Sequence, residues 1–245
     1  MDVSSYVLIS QEQALRRRLD VTANNLANMN TVGFKREQPV FREYVEDTDS
    51  AIPPAKKTSY VLDYGAVHDA SQGTFQPTDN PLDVMIEGQG YLSVEAPDGG
   101  TAYTRAGFIK VLQTGELATA GGQRLLGEGG KPITVPTEDA GRITIGQDGT
   151  VNGPNGPLGR LTVTVFDEAT VDPRGDGLMT GANGRELSAG ETRLRSGGVE
   201  GSNVNAITET TDMVEILRAY QNSARLSDSL TDLRKKAIDR LGRIS

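Results

Sequence analysis

At residues 24–28 the chain reads Asn24-Asn25-Leu26-Ala27-Asn28, and at residues 202–205 it reads Ser202-Asn203-Val204-Asn205. Each run lies at the inner edge of a terminal stretch whose apolar residues recur at alternating three- and four-residue steps. This spacing is typical of an amphipathic helix. The residues between the two runs are rich in glycine and turn signals, so each run marks a border between a helical end and a different central region.

The N-terminal helix is predicted from an apolar stripe that contains Leu8, Leu15, Leu19 and Leu26. Gly33 follows the stripe and is suited to the left-handed residue that ends many helices. The sequence therefore predicts one helix that ends shortly before Gly33.

The C-terminal stripe recurs about every 3.5 residues, which is close to a coiled-coil heptad. Its members are the apolar or small residues Met213, Leu217, Tyr220, Ala224, Ser227, Leu230, Leu233, Ala237 and Leu241. Asn205 precedes the stripe and is a candidate N-cap. A helix of this length cannot bury a stripe against itself, so it is expected to pack against another helix.

The central region has a different pattern. Short alternating apolar segments begin near residue 82 and are separated by turn signals such as Asp98-Gly99 and Asn155-Gly156. This pattern is typical of an antiparallel sandwich or barrel. Residues 34–75 contain helix-breaking prolines, and we interpret them as an extended linker that can add a strand or a hairpin.

These segments predict an α+β fold, in which long N- and C-terminal helices form a coiled coil around a central antiparallel, Gly-rich β domain. The predicted divisions are residues 1–33 (N-terminal helix, assembly layer), 34–75 (extended linker), 76–201 (β domain, outer layer) and 202–245 (C-terminal helix, assembly layer). The alternative from the pattern alone is a pair of ordinary core helices, or one helical hairpin packed on the sheet.

Charge and composition exclude several classes of function. The formal net charge is −8, and residues 43–202 carry −11 while both ends are slightly positive. An acidic surface repels phosphate backbones, so no nucleic acid is expected as a partner. No apolar stretch approaches the ~20 residues of a transmembrane helix, so no membrane insertion is expected. The first residues lack the features of a cleavable signal peptide.

No motif supports an enzyme. His68 is the only histidine and the chain has no cysteine, so a typical zinc site cannot form. The Gly-rich segment at residues 127–132 does not match a phosphate-binding loop, because Leu125 and Pro132 stand where the loop requires Gly and Ser or Thr. A calcium-binding loop starting at Asp172 would need different residues at Arg174 and Asn183. We therefore predict no catalytic residue, no cofactor and no metal site.

Residues 22–37 closely resemble the N-terminal signature of the bacterial flagellar rod and hook proteins. The resemblance is carried by Ala23-Asn24-Asn25-Leu26-Ala27-Asn28 and by Thr31-Val32-Gly33-Phe34-Lys35. Gly201-Ser202-Asn203-Val204-Asn205 looks like the other end of the same family, as does Arg218-Ala219-Tyr220-Gln221. Tyr103-Thr104-Arg105-Ala106-Gly107 resembles its β domain. Together such segments span nearly the whole chain.

The resemblance implies a structural subunit of the flagellar basal-body rod, a periplasmic drive shaft that transmits motor torque for motility. The subunit would be exported without a cleaved signal peptide by the flagellar type III export apparatus. Its partners would be copies of itself and other rod proteins. Length and central segments favour the proximal rod; the distal rod or another axial protein is the alternative, and a periplasmic carbohydrate-active β protein is a remote one.

The resemblance also places the assembly interface on the terminal helices and the asparagine runs beside them. The predicted interface residues are Leu8, Leu15, Leu19, Asn24, Asn25, Leu26, Asn28, Asn203, Asn205, Met213, Leu217, Tyr220, Leu230 and Leu233.

Overall fold

The computed structural model describes residues 3–47, 57–166, 171–175 and 177–241. The helices are α1 (Val3–Ala27) and α2 (Ala206–Leu241). The strands between them are β1 (Glu37–Asp47), β2 (Lys57–His68), β3 (Phe75–Pro77), β4 (Val84–Ile86), β5 (Tyr91–Glu95), β6 (Thr101–Thr104), β7 (Ile109–Val111), β8 (Leu117–Thr119), β9 (Thr144–Ile145), β10 (Thr150–Gly153), β11 (Gly156–Arg160), β12 (Val163–Val165), β13 (Val171–Gly175), β14 (Leu178–Gly181), β15 (Arg185–Glu186), β16 (Leu194–Ser196) and β17 (Gly198–Glu200).

The chain divides into two compact units. The helical unit consists of residues 1–27, 37–67 and 205–245, and the β unit consists of residues 28–36 and 68–204. Neither helix in the described ranges combines the length and the apolar character that crossing a membrane requires.

The helical unit is built by α1, α2 and the pair β1 and β2. The two helices pack against each other, and α1 also packs against β1. The buried apolar side chains at their contact include Leu8, Leu15 and Val21 of α1 and Ile216 of α2. β1 and β2 pair as a two-stranded sheet, so the stretch interpreted as an extended linker that can add a strand or a hairpin contains two paired strands.

The predicted coiled coil is wrong, because the heptad stripe of α2 is not the face that α2 buries. Leu217 and Leu233 are 39% and 62% exposed, whereas Glu209, Ile216 and Ser223 are buried. Ile216 and Ser223 precede the predicted Leu217 and Ala224 by one residue, which corresponds to a rotation of the helix by about 100°. A coiled coil needs apolar seams on both helices, and two of these three buried residues are polar. The α+β composition itself agrees with the prediction.

The N-cap predicted at Asn205 is confirmed. Its Oδ1 accepts hydrogen bonds from the backbone N–H groups of Ile207 (3.0 Å) and Thr208 (3.2 Å). These are two of the donors that the first turn of a helix leaves without an intrahelical acceptor.

Replacement of Asn205 by alanine is therefore expected to reduce the free energy of unfolding of the helical unit by about 1 kcal/mol. Thermal unfolding followed by far-ultraviolet circular dichroism measures this loss. Asn222, an exposed residue inside α2, supplies the control. Asn222→Ala should be neutral or slightly stabilising, and equal losses in both variants would contradict the capping role.

The β unit contains a six-stranded antiparallel sheet in the order β13-β14-β6-β5-β12-β15. A three-stranded sheet and several two-stranded pairs complete it. Its core includes Leu92, Leu117, Leu161 and Val163, all fully buried. The Asp-Gly turn before β6 forms because Gly99 adopts a φ of 83°, a left-handed conformation that glycine enters without steric cost.

Candidate assembly surface

Large apolar side chains that are exposed to solvent are concentrated in the helical unit. Among the described residues 17 such side chains are exposed, and only Met29 and Phe108 of them belong to the β unit. The other 15 form what we call the exposed apolar set: Tyr6, Ile9, Tyr44, Val45, Val61, Leu62, Tyr64, Val67, Ile207, Val214, Leu217, Tyr220, Leu226, Leu233 and Ile238. Such enrichment is typical of a surface that becomes covered on association.

The difference in helix length explains why the apolar residues in the last turns of α2 are exposed. α1 has 25 residues and α2 has 36. At 1.5 Å per residue these lengths are about 38 Å and 54 Å, so α1 cannot cover all of α2. The last buried residue in the described part of α2 is Ser223, whereas Leu233 and Ile238 are 62% and 69% exposed.

The strands β1 and β2 contribute six residues of the exposed apolar set, and the sequence allowed a hairpin there but did not predict this exposed apolar surface. Val61, Leu62 and Tyr64 are exposed, and the guanidinium carbon of Arg42 lies 3.6 Å from the centre of the Tyr64 ring. The available signal was the run of strand-forming residues from Tyr60 to Tyr64, which we interpreted as a linker.

The predicted interface residues of α1 and its end fall into two groups. Leu8, Leu15 and Asn25 are buried within the helical unit, so they already have partners inside the chain. The remaining residues of this group are more accessible: Leu19, Leu26 and Asn28 are half-buried, and Asn24 is exposed.

The predicted interface residues at the other end of the chain are mostly accessible. Leu217, Tyr220 and Leu233 are exposed, and Met213 and Leu230 are half-buried. Asn205 is exposed although its Oδ1 caps α2, and Asn203 is half-buried in the β unit. The participation of all these residues in assembly stays a prediction.

Asn25 joins three parts of the helical unit. Its Nδ2 donates to the backbone oxygen of Glu37 (2.9 Å) and to Oε2 of Glu209 (3.2 Å), and its Oδ1 accepts from the Glu37 N–H (2.8 Å). The side chain of Asn25 is 1% exposed. This amide therefore ties the end of α1 to the start of β1 and to the first turns of α2.

Replacement of Asn25 by alanine is expected to destabilise the helical unit by about 1–3 kcal/mol, because three hydrogen bonds of a buried side chain disappear together. Chemical denaturation followed by circular dichroism measures the change. Asn24→Ala is the matched control, since Asn24 is the neighbouring but exposed amide. Equal stability of the two variants would show that the buried amide network has no net effect.

The β unit contains a buried charge cluster that sequence reasoning did not find. Glu200 accepts hydrogen bonds from Lys35 Nζ at Oε1 (2.7 Å) and from Arg105 Nη1 at Oε2 (2.9 Å). Lys35, Arg105 and Glu200 are 2%, 6% and 1% exposed. The Gly73 N–H also donates to Glu200 Oε1 (2.8 Å). One buried carboxylate thus pairs with two cations in the interior.

The cluster changes the acidity of its members. Burial raises the pKa of the Glu200 carboxyl, but the facing Arg105 charge and the hydrogen bond from Lys35 outweigh it, so this pKa lies below its ordinary 4.5. Burial lowers the pKa of Lys35 below its ordinary 10.5, although the hydrogen bond to Glu200 acts in the opposite direction. No group of three or more His, Cys, Asp or Glu side chains in the described ranges is placed to hold a metal.

Comparison with known proteins assigns the chain to a family. Three family models match it: "Flagella basal body rod protein" at residues 6–35, "Flagellar hook protein FlgE/F/G D1 domain" at residues 85–153 and "Flagellar basal body rod FlgEFG protein C-terminal" at residues 195–240. The flagellar basal-body rod protein FlgF of Caulobacter vibrioides is 34% identical over 100% of both chains.

Two further relatives agree with this assignment. FlgF of Escherichia coli is 33% identical, with 95% of each chain covered. The flagellar basal-body rod protein FlgG of Agrobacterium fabrum is 33% identical over 87% of this chain and 89% of its own.

The chain belongs to the flagellar basal-body rod proteins, and it is a structural subunit of the flagellar rod. Rod subunits assemble with other rod proteins in the basal body, and no catalytic family is indicated. Within the family the chain is most like FlgF.

The buried charge cluster draws one residue from each matched region. Lys35 lies in the N-terminal region, Arg105 in the central region and Glu200 in the C-terminal region. The segments that carry the family resemblance therefore meet in one place, although the sequence separates Lys35 from Glu200 by 165 residues.

Proposed function

We propose that this chain is a subunit of the proximal rod that polymerises through its helical unit. In this proposal the terminal helices lie in the inner layer of a tube and the β region lies in the outer layer. The observation that carries the proposal is the concentration of the exposed apolar set in the helical unit. Covering apolar surface stabilises an assembly by roughly 25 cal/mol per Å².

The tube is a drive shaft that transmits motor torque through the cell envelope. Heterologous contacts that do not close into a ring generate helical filaments. Long helices offer many side chains to each neighbour, so resistance to twisting comes from packing area rather than from one strong bond. The 36 residues of α2 and their exposed apolar side chains support this role.

We further propose that the rod lies in the periplasm and that the subunit reaches it through the flagellar export apparatus. Membership of the rod family supports this route. Export through a narrow channel requires an unfolded chain, and a chain without cysteine cannot be held folded by disulfides.

The distal rod is the competing position, because relatives named FlgG match at nearly the same identity as those named FlgF. An epitope tag on the β unit, located by electron microscopy of purified basal bodies, separates the two. We expect the label at the base of the rod, next to the inner membrane. A label confined to the hook end would place the subunit in the distal rod, and absence of label from the rod would refute the proposal.

A further inference from the structure

The chain passes between its two units four times, after Ala27, Arg36, Val67 and Val204. Three of these crossings lie within two residues of Arg36, Asp69 and Asn203, all of which belong to the β unit. Inside the β unit these three residues are hydrogen-bonded to one another.

The bonds form a closed ring. The Arg36 N–H donates to Asn203 Oδ1 (2.7 Å), the Asp69 N–H donates to the Arg36 oxygen (2.8 Å), and Asn203 Nδ2 donates to the Asp69 oxygen (3.0 Å). Asn203 is separated along the sequence from Arg36 by 167 residues and from Asp69 by 134. One amide side chain therefore links three segments that are far apart in the sequence.

The ring is connected to the buried charge cluster through the backbone oxygen of Ser71. The Ser71 oxygen accepts from Asn203 Nδ2 (3.0 Å) and from Lys35 Nζ (2.7 Å). Lys35 in turn donates to Glu200. Asn203 is thus connected through Ser71 to the ion cluster as well as to the backbone at the crossings.

We propose that Asn203 is a positioning residue that holds three of the four crossings together at one point of the β unit. Mechanical force that reaches the β unit along these connections is then distributed over three segments. It does not detach a single segment from the unit before the others. The role requires one acceptor and two donors on a short side chain, which asparagine supplies. Aspartate has no donor when ionised, and alanine has neither group.

The test is native-state amide exchange on the isolated full-length chain, with Asn203→Ala as the variant. Loss of the ring removes the acceptor of the Arg36 N–H, so exchange of this amide is expected to speed about tenfold, as the net value of one hydrogen bond implies. The Asp69 N–H keeps its own acceptor, the Arg36 oxygen, so the faster exchange expected at Asp69 reports opening of the crossing rather than loss of a direct bond. The Leu117 and Leu125 amides, which donate to core backbone oxygens, should keep their wild-type rates. Asn152→Ala is the control, because Asn152 is a half-buried amide of the same unit with one long bond, to the Thr150 oxygen (3.4 Å).

Wild-type exchange at Arg36 and Asp69 in the Asn203→Ala chain would overturn the proposal. Equal acceleration at Leu117 and Leu125 would also overturn it, because Asn203 would then act on global stability alone. Asn203→Asp is a second test that preserves the acceptor for the Arg36 N–H. Relative to wild type it must speed exchange at Asp69 more than at Arg36, because it keeps the acceptor of the Arg36 N–H and loses the donor that holds the Asp69 carbonyl. Equal acceleration at the two amides would contradict the ring. None of these outcomes depends on rod assembly.

Discussion

Replacement of Glu200 by glutamine is expected to lower the free energy of unfolding of the β unit by about 3–5 kcal/mol. The substitution preserves shape but removes the carboxylate that both Lys35 and Arg105 contact. Two buried cations then face each other without a counter-charge. Since whole domains are stable by only about 5–15 kcal/mol, this is a large share of the total.

Urea denaturation followed by tyrosine fluorescence and circular dichroism measures the loss. Glu128→Gln is the control, because Glu128 also pairs with an arginine, Arg160 (2.6 Å), but is 65% exposed at its side chain. The control should change stability by no more than about 0.5 kcal/mol. A loss of similar size in the control, or no loss in Glu200→Gln, would show that the cluster does not hold the β unit together.

The same cluster predicts a pH dependence. The pKa of Glu200 is lower in the folded chain than its ordinary 4.5, so its ionised form is favoured by folding. The stabilisation is complete above about pH 4.5 and is lost as pH falls through the lower folded pKa. The difference in unfolding free energy between wild type and Glu200→Gln should therefore shrink under acid conditions. A difference that stays constant from neutral pH into that range would contradict the assignment.

The second large effect is expected on assembly. The double variant Leu217→Asp, Leu233→Asp should fold as a monomer and fail to enter rods. Both leucines are exposed, so charge there costs the isolated chain little. In a packed interface the same carboxylates would be buried without partners, which is strongly unfavourable. Electron microscopy of basal bodies and swimming in soft agar, in cells that carry only the variant, report the outcome.

Phe108→Asp is the matched control for assembly. Phe108 is 37% exposed, close to the 39% of Leu217, but it belongs to the β unit. This variant should form rods. Normal rods in the double leucine variant would refute the role of the α2 surface, and loss of rods in both variants would show that added charge anywhere blocks assembly.

The sequence was sufficient to predict the helical ends and the turn-rich centre, because both depend on local patterns. The periodicity predicts α1 and α2, and Asn205 caps α2 as expected. Glycine lies at a predicted turn, where Gly99 has a positive φ. The face that α2 buries could not be predicted this way. The predicted apolar stripe does not include polar Glu209, which is buried because Asn25 gives it a hydrogen-bond partner that only the folded chain brings near.

The charge cluster could not be predicted from the sequence either, because its contacts also form only in the folded chain. Lys35, Arg105 and Glu200 are ordinary surface residue types, and nothing local marks them as buried. The segments that contain Lys35 and Arg105 were recognised from the family resemblance, but their meeting point depends on long-range topology. Because of their prolines, residues 34–75 were interpreted as an extended linker that can add a strand or a hairpin, and the exposed apolar surface of β1 and β2 was not predicted.

The most direct test of assembly through the helical unit is thiol labelling, since the chain has no cysteine of its own. Leu233→Cys and Phe108→Cys would be treated with a soluble maleimide, first as free subunits and then in purified basal bodies. Both thiols should react in the free subunit, because both side chains are exposed. In the rod, Leu233→Cys should become protected relative to Phe108→Cys; equal reactivity of Leu233→Cys in subunit and rod would contradict the account.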